Sequence, residues 1–516
     1  MSQAHGEAPS YPSTVGGVLE RSARRGPGRL ALTFADREWT YAQLDAAVGR
    51  VAAKLLGLGL TRGDRVAALG KNSDAYLLLY LGCARAGLVH VPVNFGATGD
   101  ELAYLLTQSE PTVVFADPKL AGHIDDVTAA IGDVRRASLR EGDLDDDLLA
   151  WAQDVRGDVH EEEGVGDDDL VQLLYTSGTT SRPKGAMLTH RALVHEYVSC
   201  ITSLDCSPDD VHLCALPLYH SAQMHVFVMP SLAVGATNHM VESPAIDLAF
   251  ERIARDGISS LFFPPTVWVG VANHPRFEDA DLHSLRKAYY GASIMPVPIL
   301  EKLRRRLPDV GFYNCFGQSE IGPLATVLQP EEHDARPDSC GRPVLFVELR
   351  VVDDEGNDVE PGGTGEVVYA SPQLCTGYWD KPEETEEVFR DGWFHSGDMV
   401  RIDDEGFITV VDRIKDVINT GGVLVASREV EDALYTHESV AEVAVVGTPD
   451  DRWIEAVTAF VVLKGDTDAD ALIKHAKAKL AGYKVPKSVH VVEELPRNQS
   501  GKLLKRVLRD QLEKSE

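Results

Sequence analysis

Apolar residues recur along this chain in two rhythms. Short runs at Leu30 to Phe34, Arg65 to Leu69 and Val89 to Val93 have the length of buried strands, whereas Tyr41 to Leu58 and Asp74 to Ala86 repeat at helical spacing. Thr40 stands where the first of these helices needs an N-cap. Strands alternating with helices predict a parallel sheet with helices on its faces. The alternation resumes with strands at Val171 to Leu174, Val211 to Ala215, Ser260 to Phe263, Lys287 to Tyr290 and Gly311 to Cys315, and Thr189 is placed to cap a helix from His190. The second half thus repeats the architecture of the first without sequence repetition.

Beyond Gly341 the texture changes. Val347 to Val352, Gly365 to Ala370, Asp398 to Ile402 and Phe407 to Val411 read as short strands joined by Gly- and Asp-rich turns, which predicts a β-rich subdomain. After Lys415 come helical patterns at Ser427 to Tyr435 and Asp468 to Lys479 and strands at Val443 to Val446 and Ala456 to Leu463, an α+β unit of about 100 residues that is large enough to fold alone. The expected fold class is α/β: a large N-terminal domain (1–411) of two α/β subdomains plus the β-rich subdomain, then a small α+β C-terminal domain (416–516). Residues before about Pro12 read as a frayed arm, and the acidic stretch Glu141 to Asp169 reads as a solvated connector.

Charge narrows the partners. Lys plus Arg total 50 against 80 Asp plus Glu, a formal net charge of −30, so the surface repels nucleic acid and anionic membrane, and an anionic substrate must find local positive charge. The seven cysteines form no CxxC pair and are odd in number, which argues against a disulfide framework or structural zinc and suits a reducing cytoplasm. No window approaches the length of an apolar membrane span, and the polar first residues lack a signal core.

The chemistry concentrates in Tyr175-Thr176-Ser177-Gly178-Thr179-Thr180-Ser181-Arg182-Pro183-Lys184-Gly185, set between two strand patterns. Gly178 and Gly185 let backbone N–H groups approach an anion, the hydroxyls of Thr176, Ser177, Thr179 and Thr180 offer donors, and Lys184 offers charge. The loop is built for polyphosphate. It is not a Walker loop, because Pro183 precedes the lysine and Gly185 follows it.

The string from Tyr175 to His190 resembles the phosphate-loop signature of the adenylate-forming superfamily, which comprises acyl-CoA synthetases, adenylation domains and beetle luciferases. Further blocks follow in that family's order: Tyr313-Asn314-Cys315-Phe316-Gly317-Gln318-Ser319-Glu320, Gly392 to Asp398, Asp412 to Asp416, and Pro496-Arg497-Asn498-Gln499-Ser500-Gly501-Lys502. The resemblance implies that Thr176 and Glu320 lie near Mg²⁺, and that Ser177 to Thr180 with Lys184 cradle the β- and γ-phosphates of ATP. It puts Phe316 against adenine, Ser319 on the α-phosphate, and Asn314, Gly317 and the strand end Gly291-Ala292-Ser293 around the nucleotide, with Asp398 and Arg413 at the ribose. It makes Lys502 the charge that bridges carboxylate and α-phosphate, and residues 412–415 a hinge about which a mobile small domain turns at Lys415. Gly421 and Gly422 then leave a slot for the pantetheine arm of CoA, although Val423 to Ser427 departs from the family's usual sequence there; Lys484, Lys487 and Arg428 are candidates for the CoA phosphates.

His220, within Leu216-Pro217-Leu218-Tyr219-His220-Ser221-Ala222-Gln223-Met224, matches the family's gate between acyl pocket and thiol tunnel. Lining from Met224, Val228, Ile294 and Ile321 would be apolar, which favours an uncharged tail, aliphatic before aromatic. The implied activity is that of an ATP-dependent carboxylate–CoA ligase working through an acyl-adenylate on a fatty or other apolar monocarboxylic acid, with ATP, Mg²⁺ and CoA, and with a homodimer as one assembly open to it. The alternatives are an aryl- or arylalkanoate-CoA ligase, a ligase that loads a carrier-protein phosphopantetheine, and a catalytically silent nucleotide-binding regulator. The last predicts decay at Lys184, Glu320, Asp398, Arg413 and Lys502, all of which are intact.

Overall fold

In the computed structural model the described residues are 13–132, 134–142, 146–176, 182–293, 295–421, 423–450, 452–497 and 503–513. Two compact units emerge. The first holds most residues up to 348 together with 370–394; the second holds 349–369 and 395 onward.

The first unit contains two sheets, one six-stranded and one nine-stranded. In the smaller, Arg65–Leu69, Val89–Val93 and Val113–Ala116 pair in parallel, and Leu170–Thr176 is followed by the antiparallel Lys184–Thr189. The larger runs parallel through Thr237–Met240, Val211–Cys214, Ser260–Phe262, Lys287–Gly291 and Gly311–Phe316, with antiparallel strands at its margins. The predicted caps form: Thr40 makes a capping box with Gln43, and Thr189 Oγ1 accepts the Ala192 N–H.

Two features depart from the expectation of repeated halves. Leu30–Phe34 does not join the first sheet; it pairs in parallel with Thr237–Met240 of the second, and its carbonyls accept from the Thr237 hydroxyl and the Asn238 amide. The acidic connector is also not merely solvated. Ser13 N–H bonds to Asp167, Thr14 Oγ1 to Glu162, Arg62 pairs with Asp169 and Arg191 with Asp168, and burial raises the pKa of Glu162. Basic and hydroxyl partners far away in sequence give these acids a structural place.

The second unit contains the β-rich strands Glu348–Val352, Thr364–Ala370, Trp393–Ile402 and Ile408–Arg413. It also holds a sheet in which Ile454–Leu463 pairs antiparallel with Val440–Asp450 and parallel with Ser488–Val491, covered by the helices Ser427–Tyr435 and Ala469–Lys477. By compactness, 349–369 and 395–411 group with the strands and helices nearer the C-terminus. Polar bonds tie the expected hinge to helices nearer the C-terminus: Asp412 accepts from both the amide and the hydroxyl of Ser427 at 2.6 Å, and Arg509 pairs with Asp416 at 2.7 Å.

Candidate active site

In the first unit, the strand Leu170–Thr176 delivers Thr176 at its end, and Lys184 opens the antiparallel strand directly opposite. Gly185 makes room for a neighbouring ring. A Cβ there would meet the Tyr175 ring at 3.2 Å, and its carbonyl accepts from the Trp379 N–H. Ser177, Gly178, Thr179 and Thr180 lie outside the described residues.

Glu320 arrives from the far side of the unit on a short 3-10 turn, Ser319–Ile321, after the strand Gly311–Phe316. Its carboxylate is buried and its Oε1 accepts two hydroxyls, from Thr176 at 3.2 Å and Tyr378 at 3.0 Å. Burial, reinforced by that carboxylate, raises the Tyr378 pKa and keeps its phenol a donor. The Lys184 ammonium sits 5.0 Å from the centre of the Tyr378 ring, a cation–π contact. Tyr378 was not among the residues expected; its only trace in the sequence is a Gly-Tyr-Trp run near the end of the first unit.

Ser319 Oγ lies 3.0 Å from Ser221 Oγ, which joins this turn to the segment bearing His220. The His220 ring tilts against Tyr219 with centroids 4.5 Å apart. The segment continues into a π-helix, Ala222–Val228, an irregularity that often marks function. Buried polar bonds hold it: His225 Nε2 to Gln172 Oε1 at 2.9 Å and His225 Nδ1 to the Tyr197 hydroxyl at 3.1 Å. Met224, Val228 and Ile321 are fully buried, whereas Ile294 lies outside the described residues.

Gly291 ends its strand opposite Cys315, where a Cβ would fall 2.1 Å from the Cys315 carbonyl oxygen. Ala292 follows at φ +64°, and both it and Ser293 are exposed. Asn314 spends its amide N–H on the Ser339 carbonyl at 2.8 Å. Phe316 is half-buried, and Gly317, at φ +153°, passes so close to Pro323 that a Cβ would sit 2.0 Å from that carbonyl.

The remaining candidates belong to the second unit. Asp398 is buried, faces Arg413 across an antiparallel pair of strands, and accepts from its Nε at 2.8 Å. Gly421, at φ +67°, donates to the Trp453 carbonyl, and a Cβ on it would meet the Trp453 ring at 3.3 Å. Gly422 and Lys502 lie outside the described residues. Lys484 is paired with Glu429 and Arg428 with Asp432, while Lys487 stands 5.1 Å over the Trp453 ring.

This geometry, an antiparallel strand pair whose end residue Thr176 meets a buried carboxylate, belongs to a known class. The chain is a member of the AMP-binding enzyme family: the AMP-binding enzyme domain matches residues 19–379, and the AMP-binding enzyme C-terminal domain matches 429–502. Feruloyl-CoA synthase from Amycolatopsis sp. is 38% identical over 489 residues, 94% of this chain and 96% of the relative. Indoleacetate–CoA ligase from Aromatoleum aromaticum is 35% identical over 94% of this chain and 96% of its own length. The solved structure of ATP-bound MatB from Rhodopseudomonas palustris superposes with a TM-score of 0.89 at 31% identity, over 97% of this chain and 99% of that one. The expected fold class and family are therefore correct.

Proposed function

We propose that the protein is an AMP-forming carboxylate–CoA ligase. A carboxylate oxygen attacks the α-phosphorus of ATP, releasing pyrophosphate and forming an acyl-adenylate. The CoA thiol then attacks the acyl carbon, and AMP leaves as the thioester forms. The observation that carries this reading is the Thr176–Glu320–Tyr378 cluster with Lys184 beside it, at the end of two strands whose connection is rich in hydroxyls.

Glu320 and Thr176 fit Mg²⁺, since a buried carboxylate oriented by hydroxyl donors and a threonine oxygen form a hard, all-oxygen set. Bound there, the ion would neutralise phosphate charge. Lys184 and the hydroxyls of residues 177–180 hold the β- and γ-phosphates, and Ser319 donates to the α-phosphate. Phe316 covers adenine beside Gly291, Ala292, Ser293, Asn314 and Gly317, and Asp398 with Arg413 holds the ribose. Lys502 supplies positive charge to the adenylation step from the C-terminal domain, which turns about 412–415 to present Gly421 and Gly422 to the thiol. His220 gates the acyl pocket.

The acid is an apolar monocarboxylate, and the names of the relatives add weight to ring-bearing acids over the aliphatic ones favoured by the lining residues. All seven cysteines are free thiols, in keeping with a cytoplasmic enzyme. The test is carboxylate-dependent ATP–pyrophosphate exchange across arylalkenoic, arylacetic and fatty acids; no exchange with any of them overturns the reading. Lys502→Ala should lose most of this exchange, by about 10²–10³-fold, yet still convert supplied acyl-adenylate and CoA to thioester. Equal loss of both half-reactions refutes the division of labour.

A further inference from the structure

The helix His190–Ser203 carries a carboxylate that none of the chemistry above employs. Glu196 is 0% exposed, and burial pushes its pKa up to about 8 against the N–H and S–H groups that point at it. Its Oε1 accepts the Leu324 N–H at 2.9 Å and faces the Cys200 thiol at 3.3 Å; its Oε2 accepts from the Gln373 amide. Gln373, equally buried, also donates to the carbonyls of Ile321 at 3.2 Å and Leu324 at 3.1 Å, while its own oxygen takes the Ser199 hydroxyl at 2.6 Å.

These groups converge on one stretch of backbone, the turn from Ser319 to Leu324. A Cβ on Gly322, which sits at φ +104°, would meet the Glu196 side chain at 3.1 Å, so the turn lies directly on that carboxylate. Leu324 N–H, Ile321 C=O and Leu324 C=O take their bonds from two side chains that lie 128 and 49–52 residues away in sequence. A third anchor is backbone: the Cys375 N–H donates to the Glu320 carbonyl at 2.7 Å. An apolar filling of the same volume avoids burying a carboxylate, a cost that is large unless hydrogen bonds return it. What the polar filling adds is a single register for the turn.

We propose that Glu196, acting with Gln373, is a positioning residue for Ser319 and Glu320. By holding Leu324 and Ile321, it sets the distance at which the Glu320 carboxylate meets the hydroxyls of Thr176 and Tyr378, and the distance at which Ser319 meets Ser221. The inference rests on the role given to Glu320 under the proposed function, and its test separates the two.

Glu196→Gln keeps the volume but turns an N–H toward the Gln373 N–H, so one of the paired bonds is lost. Gln373→Met keeps the length and removes all three donated bonds, to Glu196, Ile321 and Leu324. Two measurements are made on each full-length variant. The first is the Mg²⁺ concentration for half-maximal ATP–pyrophosphate exchange, which is expected to rise by up to about tenfold for the loss of one buried hydrogen bond, with the KM for the acid unchanged. The second is amide hydrogen exchange over residues 319–325 in ligand-free protein, which is expected to accelerate relative to the core of the same unit. Folded variants with wild-type Mg²⁺ dependence and wild-type protection of that turn overturn the proposal, as does a fall in thermal stability with no change in either readout. If the wild-type enzyme shows no exchange at all, the functional reading fails instead, and hydrogen exchange alone still decides whether Glu196 holds the turn.

Discussion

The replacement of Gly291 by alanine offers a direct measure of how tightly the nucleotide side of the large unit is packed. Gly291 closes a central strand and lies in register with Cys315 of the neighbouring parallel strand. The added methyl would fall 2.1 Å from the Cys315 carbonyl oxygen and 3.1 Å from its carbon, whereas ordinary contact begins at 3.4 Å. The obstacle is backbone, so no side chain can swing aside. The two strands would have to part by about 1.3 Å, breaking the ladder between the strand that ends in Ala292 and the one that leads to Phe316 and Ser319. Overpacking of this kind costs about 1–3 kcal/mol, and a lost ladder bond adds ~1 kcal/mol. The effect on rate is larger, because displacing binding groups by about 1 Å costs on the order of 10²-fold.

Gly291→Ala should therefore lower kcat/KM for ATP–pyrophosphate exchange by about 100-fold while most of the protein remains folded at the assay temperature. Gly122→Ala is the control: it lies in the helix Ala121–Ile131 with nothing near its missing side chain, and should raise stability by about 0.5–1 kcal/mol without touching the rate. Thermal unfolding and exchange kinetics on the three proteins decide the matter. Wild-type exchange in Gly291→Ala would refute the claim that the close approach of these strands sets the site.

Three further outcomes can be checked. Tyr378→Phe removes one of the two hydroxyls that orient Glu320 and should raise the Mg²⁺ requirement for exchange by about tenfold at unchanged fold stability; an unchanged requirement denies Tyr378 that part. Asp398→Asn retains shape but not charge, so the KM for ATP should rise by about tenfold, more than the KM for the acid, and equal shifts in both would argue against ribose contact. Glu196 contributes a pH slope to stability. Its folded pKa of about 8 lies above its ordinary 4.5, so the stability it lends is full below 4.5 and is lost as pH rises to 8. The slope in that window is at most ~1.4 kcal/mol per pH unit. Unfolding midpoints measured from pH 5 to 9 should show a part of the slope that is absent in Glu196→Gln.

Local signals carried most of the fold. Thr40 and Thr189 cap helices because a hydroxyl two or three residues ahead of free amides needs no tertiary context, and the runs at Val89 to Val93 and Lys287 to Tyr290 are strands because nothing else buries such residues on both faces. Nonlocal pairings stayed hidden. Nothing in Leu30 to Phe34 says which sheet it joins, and that choice was made by Thr237 to Met240. The helix Val15–Arg25 was unread because five of its eleven residues are Gly or Arg and its apolar face is narrow. Thr176, Lys184 and Glu320 were singled out by the resemblance of their motifs, yet the side chains around them were not: Tyr378, Gln373 and Glu196 act through distances of 2.5–3.2 Å to residues 49 to 177 positions away.

The strand Leu30–Phe34 has a consequence for how this chain is made. It occupies an inner place in the nine-stranded sheet between Arg37–Thr40 and Thr237–Met240, and the second of these neighbours is synthesised some 206 residues later, at the span over which Thr33 reaches His239. At ribosomal speeds of about 5–20 residues per second, that interval lasts ~10–40 s, during which this apolar segment has only the short antiparallel strand Arg37–Thr40 to pair with. The large unit cannot be completed piece by piece from its N-terminus. Removing the first forty residues would open the second sheet rather than trim the first.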